Sequence, residues 1–291
     1  MIRSFLSIIL IGTTITSSAQ LVNKVTDPVE WVNPLMGTDS KYSLSNGNTY
    51  PAVGVPWGMN LWSPQTGKMG DGWMYTYSAD KIRGFKQTHQ PSPWMNDYGQ
   101  MAIMPIVGKA RFNEDERASW FSHKREVSKP YYYSFYLADA DVTTELTPTE
   151  RAAQFRFTFP KSDSSFIVID AFDKGSYVKI IPEEKKIIGY STKFSRGPLP
   201  NFRNHFVIYL DKPFTVSYGV DGGKMIKGKN ETQADHAGAI IGFKTEKGEK
   251  VHLRMATSFI SFDQAELNLK RELASDGFDV TRNKAKKLWN D

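Results

Sequence analysis

The sequence predicts an antiparallel all-β fold, a sandwich or a barrel, with long ordered loops before it and helices at its C-terminal end. Three observations carry that expectation: a series of short β-branched and aromatic runs, a Trp- and Gly-rich stretch without periodicity ahead of them, and a closing run of helix formers. From about Glu150 onward the runs are AQFRFTF, FIVIDAF, YVKII, IIGYST, HFVIYL, FTVSYGV, AGAIIGF and VHLRMATSFISF, separated by turns rich in Gly, Pro, Asp or Lys. Recurrence every ~8–15 residues is the pattern of a sandwich or barrel. Phe155, Phe157 and Phe159 alternate strictly, so that strand is expected to have one buried face and one wet face.

The stretch from Trp31 to Gly108 is rich in Gly, Pro, Asn and Trp and shows little regular periodicity. Long irregular segments in compact domains are usually functional or disordered, and the aromatic content argues against disorder. This region is therefore predicted to be a set of ordered loops carried by the β-rich remainder. At the other end, Asp263 with Glu266 three residues later has the form of a capping box opening DQAELNLKRELASDGF. A second helical run, TRNKAKKLWND, follows Gly277. Leu288 and Trp289 have no evident sequence on which to pack, so the helix is expected to lead into further polypeptide. The alternative is that both residues fold back on the β-rich body.

The first residues, MIRSFLSIILIGTTITSSAQ, combine a basic start, a short apolar run and small residues ending at Ala19. That is the form of a secretory signal peptide over residues 1–19. The expected organisation is then a β-rich domain over 20–262 and helices over 263–291. No later run approaches the ~20 apolar residues of a membrane helix, so no membrane span is expected. The chain has no cysteine; an exported chain without a disulfide framework suits a bacterial periplasm or surface. The sequon at Asn230 is then incidental. The net charge is +6, but the lysines are dispersed rather than arranged in a stripe with aromatics, which argues against a nucleic-acid partner.

The five histidines are scattered, and no metal-ligand spacing, nucleophile elbow, phosphate loop or dinucleotide fingerprint is present. What remains has the chemistry of sugar binding. Trp57, Trp62, Trp73 and Trp94, with Tyr75, Tyr77 and Tyr98, fall in one region beside Asn46, Asn48, Asp71, Asn96, Asp97 and Gln100. Pyranose rings stack their C–H faces on aromatic rings, and their hydroxyls need fixed planar hydrogen-bonding groups. Core positions are expected for Trp57 and Trp62. Trp94, between Pro91 and Pro93 on one side and polar residues on the other, is open to a binding or a core role. His89 and Asp97 share its loop and could face a pocket, although a lone histidine is more often structural. Asp71 and Asp97 fit ordinary turns equally well. Glycoside hydrolysis needs two carboxyl groups about 6.5–9.5 Å apart for inversion and about 5 Å for retention, and no pair is assigned by the sequence.

The ordered series VNPLMGTDS, NGNTYPAVGVPWGMNLWSPQTG, DGWMY, GFKQTHQPSPWMNDYGQMAIMPIVG and ATSFISFDQAELNLKRELASDGFDVTRNKAKKLWND resembles the N-terminal part of glycoside hydrolase family 92, the calcium-dependent exo-acting α-mannosidases. The resemblance runs from about Trp31 to the last residue. It implies an N-terminal β-sandwich joined by linker helices to a C-terminal helical barrel, with the active site between them. It implies hydrolysis of mannose-containing glycans with inversion, by a glutamate acid and an aspartate base that both belong to the barrel, and calcium held largely there too. No catalytic residue is then expected in this chain, which by itself would be inactive. The loop HQPSPWMNDYG resembles the version found in members acting on α-1,2-linked mannose, with Trp94 on the leaving-group side. Asp71, Gly72 and Trp73 match a second motif near the pocket, and His89, Asn96 and Asp97 share the Trp94 loop. A different class of function, a non-catalytic carbohydrate-binding β-sandwich module, rests on the same aromatic loops.

Overall fold

A computed structural model of the protein describes residues 27–39, 49–69, 74–89, 98–194, 199–273 and 275–291. The proposed signal segment lies outside them. Strands β1 (Leu61–Gln65), β2 (Lys81–Ile82), β3 (Gly84–Thr88) and β4 (Ala102–Val107) precede a one-turn helix, α1 (Glu114–Arg117). Then come β5 (Ser119–Trp120), β6 (Val127–Lys129), β7 (Tyr132–Leu137), β8 (Val142–Pro148), β9 (Ala152–Phe159) and β10 (Ser162–Asp170). After these follow β11 (Ser176–Ile181), β12 (Lys186–Ser191), β13 (Asn204–Leu210), β14 (Val216–Asp221), β15 (Lys224–Lys227), β16 (Glu231–Ala234), β17 (Ala237–Thr245) and β18 (Glu249–Ser258). Helices α2 (Phe262–Leu273) and α3 (Phe278–Asn290) close the described chain.

Seven strands, in the order β1-β3-β4-β10-β17-β14-β15, make one antiparallel sheet, nine, in the order β16-β11-β12-β13-β18-β9-β8-β7-β6, make a second, and β2 pairs with β5 in a small third one. The two large sheets contribute to one apolar core, the first through residues such as Phe85, Ile103, Ile167 and Ile240, the second through Phe155, Phe157, Phe206 and Leu253. Each of the eight runs read from the sequence is a strand, β9 to β14 with β17 and β18.

Several expectations change. The Trp31–Gly108 region is more than loops, because β1, β3 and β4 within it form one flank of the seven-stranded sheet. Trp62 is fully buried, edge-on to Phe155 at 5.3 Å, as expected. Trp57 is instead fully exposed, on a turn at φ 62° closed by the Gly58 N–H to the Val55 carbonyl. The turn buries Val55 and leaves the indole outside.

The far face of β9 is not wet. Ala152 packs with Ala256, Leu269 and Leu273 under α2, and the Gln154 amide donates to Thr281 Oγ1 at 2.7 Å and to the Asp276 carbonyl at 2.9 Å. Arg156 grips Glu145 with two hydrogen bonds of 2.6 Å and reaches Asp279 at 3.0 Å. Helix α2 begins ahead of Asp263, since the Ser261 hydroxyl accepts the Gln264 N–H at 3.1 Å and caps it. Glu266 binds Lys186 and Tyr209 rather than closing a capping box. Burial pushes its carboxyl up, but those two partners outweigh it and hold the group at about 2.

The end of α3 has a partner. Ala285 packs with Val29, Val55 and Tyr131, and the Trp289 indole N–H donates to the Gly54 carbonyl at 2.8 Å. Asn290 bonds Asp27 and the Val29 N–H, while Lys286 pairs with Asp27 at 3.1 Å and Glu30 at 3.0 Å. A hydrogen bond from Tyr131 is the main reason that the Glu30 carboxyl sits at about 2. Leu288 remains half exposed.

Candidate functional site

Buried polar residues gather at one end of the sandwich, where β1 and β3 meet the ends of β13 and β18. Asn60, Gln87, Asn204 and Thr257 are all inaccessible to solvent. Buried amides and hydroxyls cost free energy unless paired, and these pair with one another. The Asn60 amide donates to Thr257 Oγ1 at 2.9 Å, the Gln87 amide to the same oxygen at 3.2 Å, and the Asn204 amide to Gln87 Oε1 at 3.2 Å and to the Gly99 carbonyl at 2.6 Å. Such a network rigidifies what rests on it.

What rests on it is the pair of ends of the predicted Trp94 loop. His89 and Tyr98 stack at 5.1 Å with an interplanar angle of 14°. His89 Nδ1 lies 2.8 Å from the Tyr98 carbonyl; a carbonyl only accepts, which assigns the proton to Nδ1 and leaves Nε2 to accept from Gln87 at 3.3 Å. Phe194, Phe202 and Phe259 continue the aromatic floor around Tyr98. The Gly99 N–H donates to the Lys193 carbonyl at 2.7 Å. Lys193 in turn pairs with Asp173, and its ammonium lies 5.7 Å from the Phe172 ring, which the Lys86 ammonium also approaches, at 5.4 Å.

Among the sequence-predicted site residues, His89 is described and serves to clamp the two ends of its loop. Asp71, Gly72, Trp73, Trp94, Asn96 and Asp97 lie outside the described residues. The residues flanking their segments nevertheless come to one region. His89 and Tyr98 meet Gly99 and Lys193, and Met69 contacts the Asp173 N–H through its sulfur at 3.2 Å. Tyr75 and Tyr77 are used elsewhere, Tyr75 on Glu126 at 3.0 Å and Tyr77 stacked on His123 at 3.9 Å. Asn60, Gln87, Asn204 and Thr257 were not legible as site residues; the only signal was polar side chains inside strand-like runs, as in GFKQT.

Gly99 is required twice over. Its φ is 60°, and a Cβ there would sit 2.5 Å from the Asn204 Cβ. Gly99→Ala is expected to cost about 1–3 kcal/mol, read as a lower urea midpoint; unchanged stability would mean that the loop end is not held as described.

The calcium implied by the resemblance finds no cage among the described residues, where no three His, Asp or Glu side chains converge.

The model of the glycosyl hydrolase family 92 N-terminal domain matches residues 31–258. The chain belongs to this family. Its fold superposes on a family GH92 inverting mannosidase of Bacteroides thetaiotaomicron with a TM-score of 0.87 and 42% identity, over 92% of this chain and 36% of that one. A family GH92 α-mannosidase of the same organism, solved with mannoimidazole, gives a TM-score of 0.80 and 29% identity over 90% of this chain and 36% of that one. An uncharacterized secreted glycosidase of Arthroderma benhamiae is 20% identical over 91% of this chain and 38% of its own length. The family 92 chain thus spans little more than a third of the length of these relatives. Among its described residues no helix is long and apolar enough to cross a membrane.

Proposed function

We propose that this family 92 chain is the N-terminal sandwich of an exported, inverting exo-α-1,2-mannosidase, supplying sugar-binding loops to an active site whose acid and base lie on a further helical domain. The observation that carries the reading is the 42% identity, over 92% of the chain, with a family GH92 inverting mannosidase. The α-1,2 preference rests on the HQPSPWMNDYG loop, and export, to the periplasm or beyond, rests on the form of residues 1–19. In this reading Trp94, Trp73, Asp71, Gly72, Asn96 and Asp97 face the sugar, with His89 fixing the loop. Calcium belongs to the further domain; it would bind sugar hydroxyls there.

A surface suited to that domain supports the proposal. Trp31 is 80% exposed, Met36 75%, and Trp57 wholly so, while Leu288 and Trp289 are partly exposed. Trp31, Trp57, Leu288 and Trp289 each follow closely on a member of the small cluster of Val29, Val55 and Ala285. Large exposed apolar groups in one place mark an interaction surface. A tryptophan held at positive φ is also costly, and such strain persists where function or tight packing requires it.

The purified chain is expected to release no mannose from α-1,2-mannobiose, whereas the same sandwich continued by a helical domain is expected to release it as the β-anomer first. Turnover by the chain alone would overturn the placement of the acid and base.

A further inference from the structure

An open concavity of about 710 Å³ lies at the edge of the nine-stranded sheet, lined by Ser176, Tyr190, Thr192, Arg203, Gln233 and Asp235. The strand register places it at the same end of the sandwich as the buried polar network. Ser176 pairs with Ser191, and Ser191 with Asn204 of the network, and Arg203, which lines the concavity, is the residue before Asn204.

Its lining differs from an ordinary sheet edge. Tyr190 is pinned between Tyr177, stacked at 5.4 Å, and the Arg203 guanidinium at 5.1 Å. An aromatic side chain already fixed loses little entropy on binding. Gln233 and Asp235 are exposed, and neither side chain has a hydrogen-bond partner among the described residues. An amide, a carboxylate and a guanidinium around a tyrosine form the set of planar groups that vicinal hydroxyls engage. Arg203 and Asp235 also cancel in charge, which favours a neutral ligand over a phosphate.

The wall toward the network is strained. Phe172 and Lys174 have φ of 63° and 74°, which side chains rarely adopt, and Gly175 follows at 100°, where glycine fits without strain. The loop is tied by the Thr192 hydroxyl to the Lys174 carbonyl at 2.6 Å and by the Gly175 N–H to the Asp235 carbonyl at 2.9 Å. A Cβ on Gly175 would meet the Thr192 hydroxyl at 2.6 Å. Backbone strain of this kind clusters at binding sites, and the same loop carries Asp173, the partner of Lys193, toward the network.

We infer that the concavity is a second carbohydrate subsite, which takes mannosyl residues of an extended glycan beyond those at the Trp94 loop. The inference rests on reading the chain as part of a mannosidase. It is tested by calorimetric titration of the chain with α-1,2-mannobiose and with a branched high-mannose oligosaccharide. Affinity for the oligosaccharide is expected to fall about tenfold in Tyr190→Ala and about fivefold in Asp235→Ala and Gln233→Ala, and to survive Trp94→Ala in part. Because Tyr190→Ala also removes packing against Tyr177, the two exposed variants decide the matter. Unchanged oligosaccharide affinity in both overturns the inference, as does an absence of oligosaccharide binding by the native chain. Mannose release from the disaccharide is read separately and stands or falls without this groove.

Discussion

Arg117→Met is expected to lower the unfolding free energy by about 3–5 kcal/mol, because it strands a carboxylate in the interior. Asp170 ends β10 and is 1% exposed. Its Oδ2 accepts from Arg117 Nη1 at 2.8 Å, and its Oδ1 accepts from His236 Nε2 at 2.7 Å and from the Phe172 N–H at 3.0 Å. Burial pushes the Asp170 carboxyl up, but the Arg117 charge and the His236 hydrogen bond outweigh it and hold the group at about 2. A folded value near 2, below the ordinary 3.8, contributes about 2 kcal/mol that is complete above the unfolded value and lost as pH falls toward 2. His236 works in the opposite sense. Although burial lowers it, Asp170 raises it overall, so its contribution is present below its ordinary value of 6.5 and is lost as pH rises through the folded one. The stability conferred by the pair is therefore greatest between acid and neutral pH. Urea unfolding of native and Arg117→Met chains between pH 3 and 8 tests this. Adding Asp170→Asn should recover much of the loss, because the amide oxygen still accepts the Phe172 N–H without a buried charge. A variant as stable as the native chain at pH 6 would refute the account.

Phe155→Ala is expected to cost a similar ~3–5 kcal/mol by opening a cavity that aromatic neighbours cannot fill. Phe155 is fully buried on β9 and touches Trp62 of β1 at 5.3 Å and Phe85 of β3 at 5.7 Å, so it joins the two sheets. Phe155→Leu keeps most of the volume and should cost less than half as much. At about 2–4 °C per kcal/mol for a chain of this size, the alanine variant should melt about 10 °C lower. A shift of a degree or two would mean that β1 and β3 are not packed on β9.

That contact also shows what the sequence leaves unread. Most strands from β9 onward were legible because apolar residues dominate their inward faces, as in Phe155, Phe157 and Phe159, whereas the short, polar β15 and β16 were not. β1 and β3 bury Ser63, Gln65, Lys86 and Gln87, and polar residues at buried positions erase the alternation that reveals a strand. β1 and β4 also contain Pro64 and Pro105. Pro64 is tolerated on an edge strand, and Pro105 lies beyond the last pairing of β4 with β3, so its nitrogen need not donate. One of these buried polar residues, Gln87, also belongs to the buried network at the ends of the predicted Trp94 loop. The Trp94 loop is predicted from its own aromatic composition, whereas Asn204 and Thr257, in the network at its described ends, come from β13 and β18, more than a hundred residues away. Only folding brings them together. Asp170 left one trace, a carboxylate closing the apolar run FIVID.

The contacts among Asp27, Glu30, Lys286 and Asn290 bring the two extremes of the described chain to one point. A polypeptide entering at Asp27 and leaving at Asn290 would do so side by side. Topologically the sandwich is then a closed circuit, of the kind that tolerates insertion into a surface turn of another protein or circular permutation across a short linker. Mechanically, tension applied between those two points would peel the ionic contacts apart one after another before reaching the sheets. The junction would therefore yield first under load, with the core strands still paired.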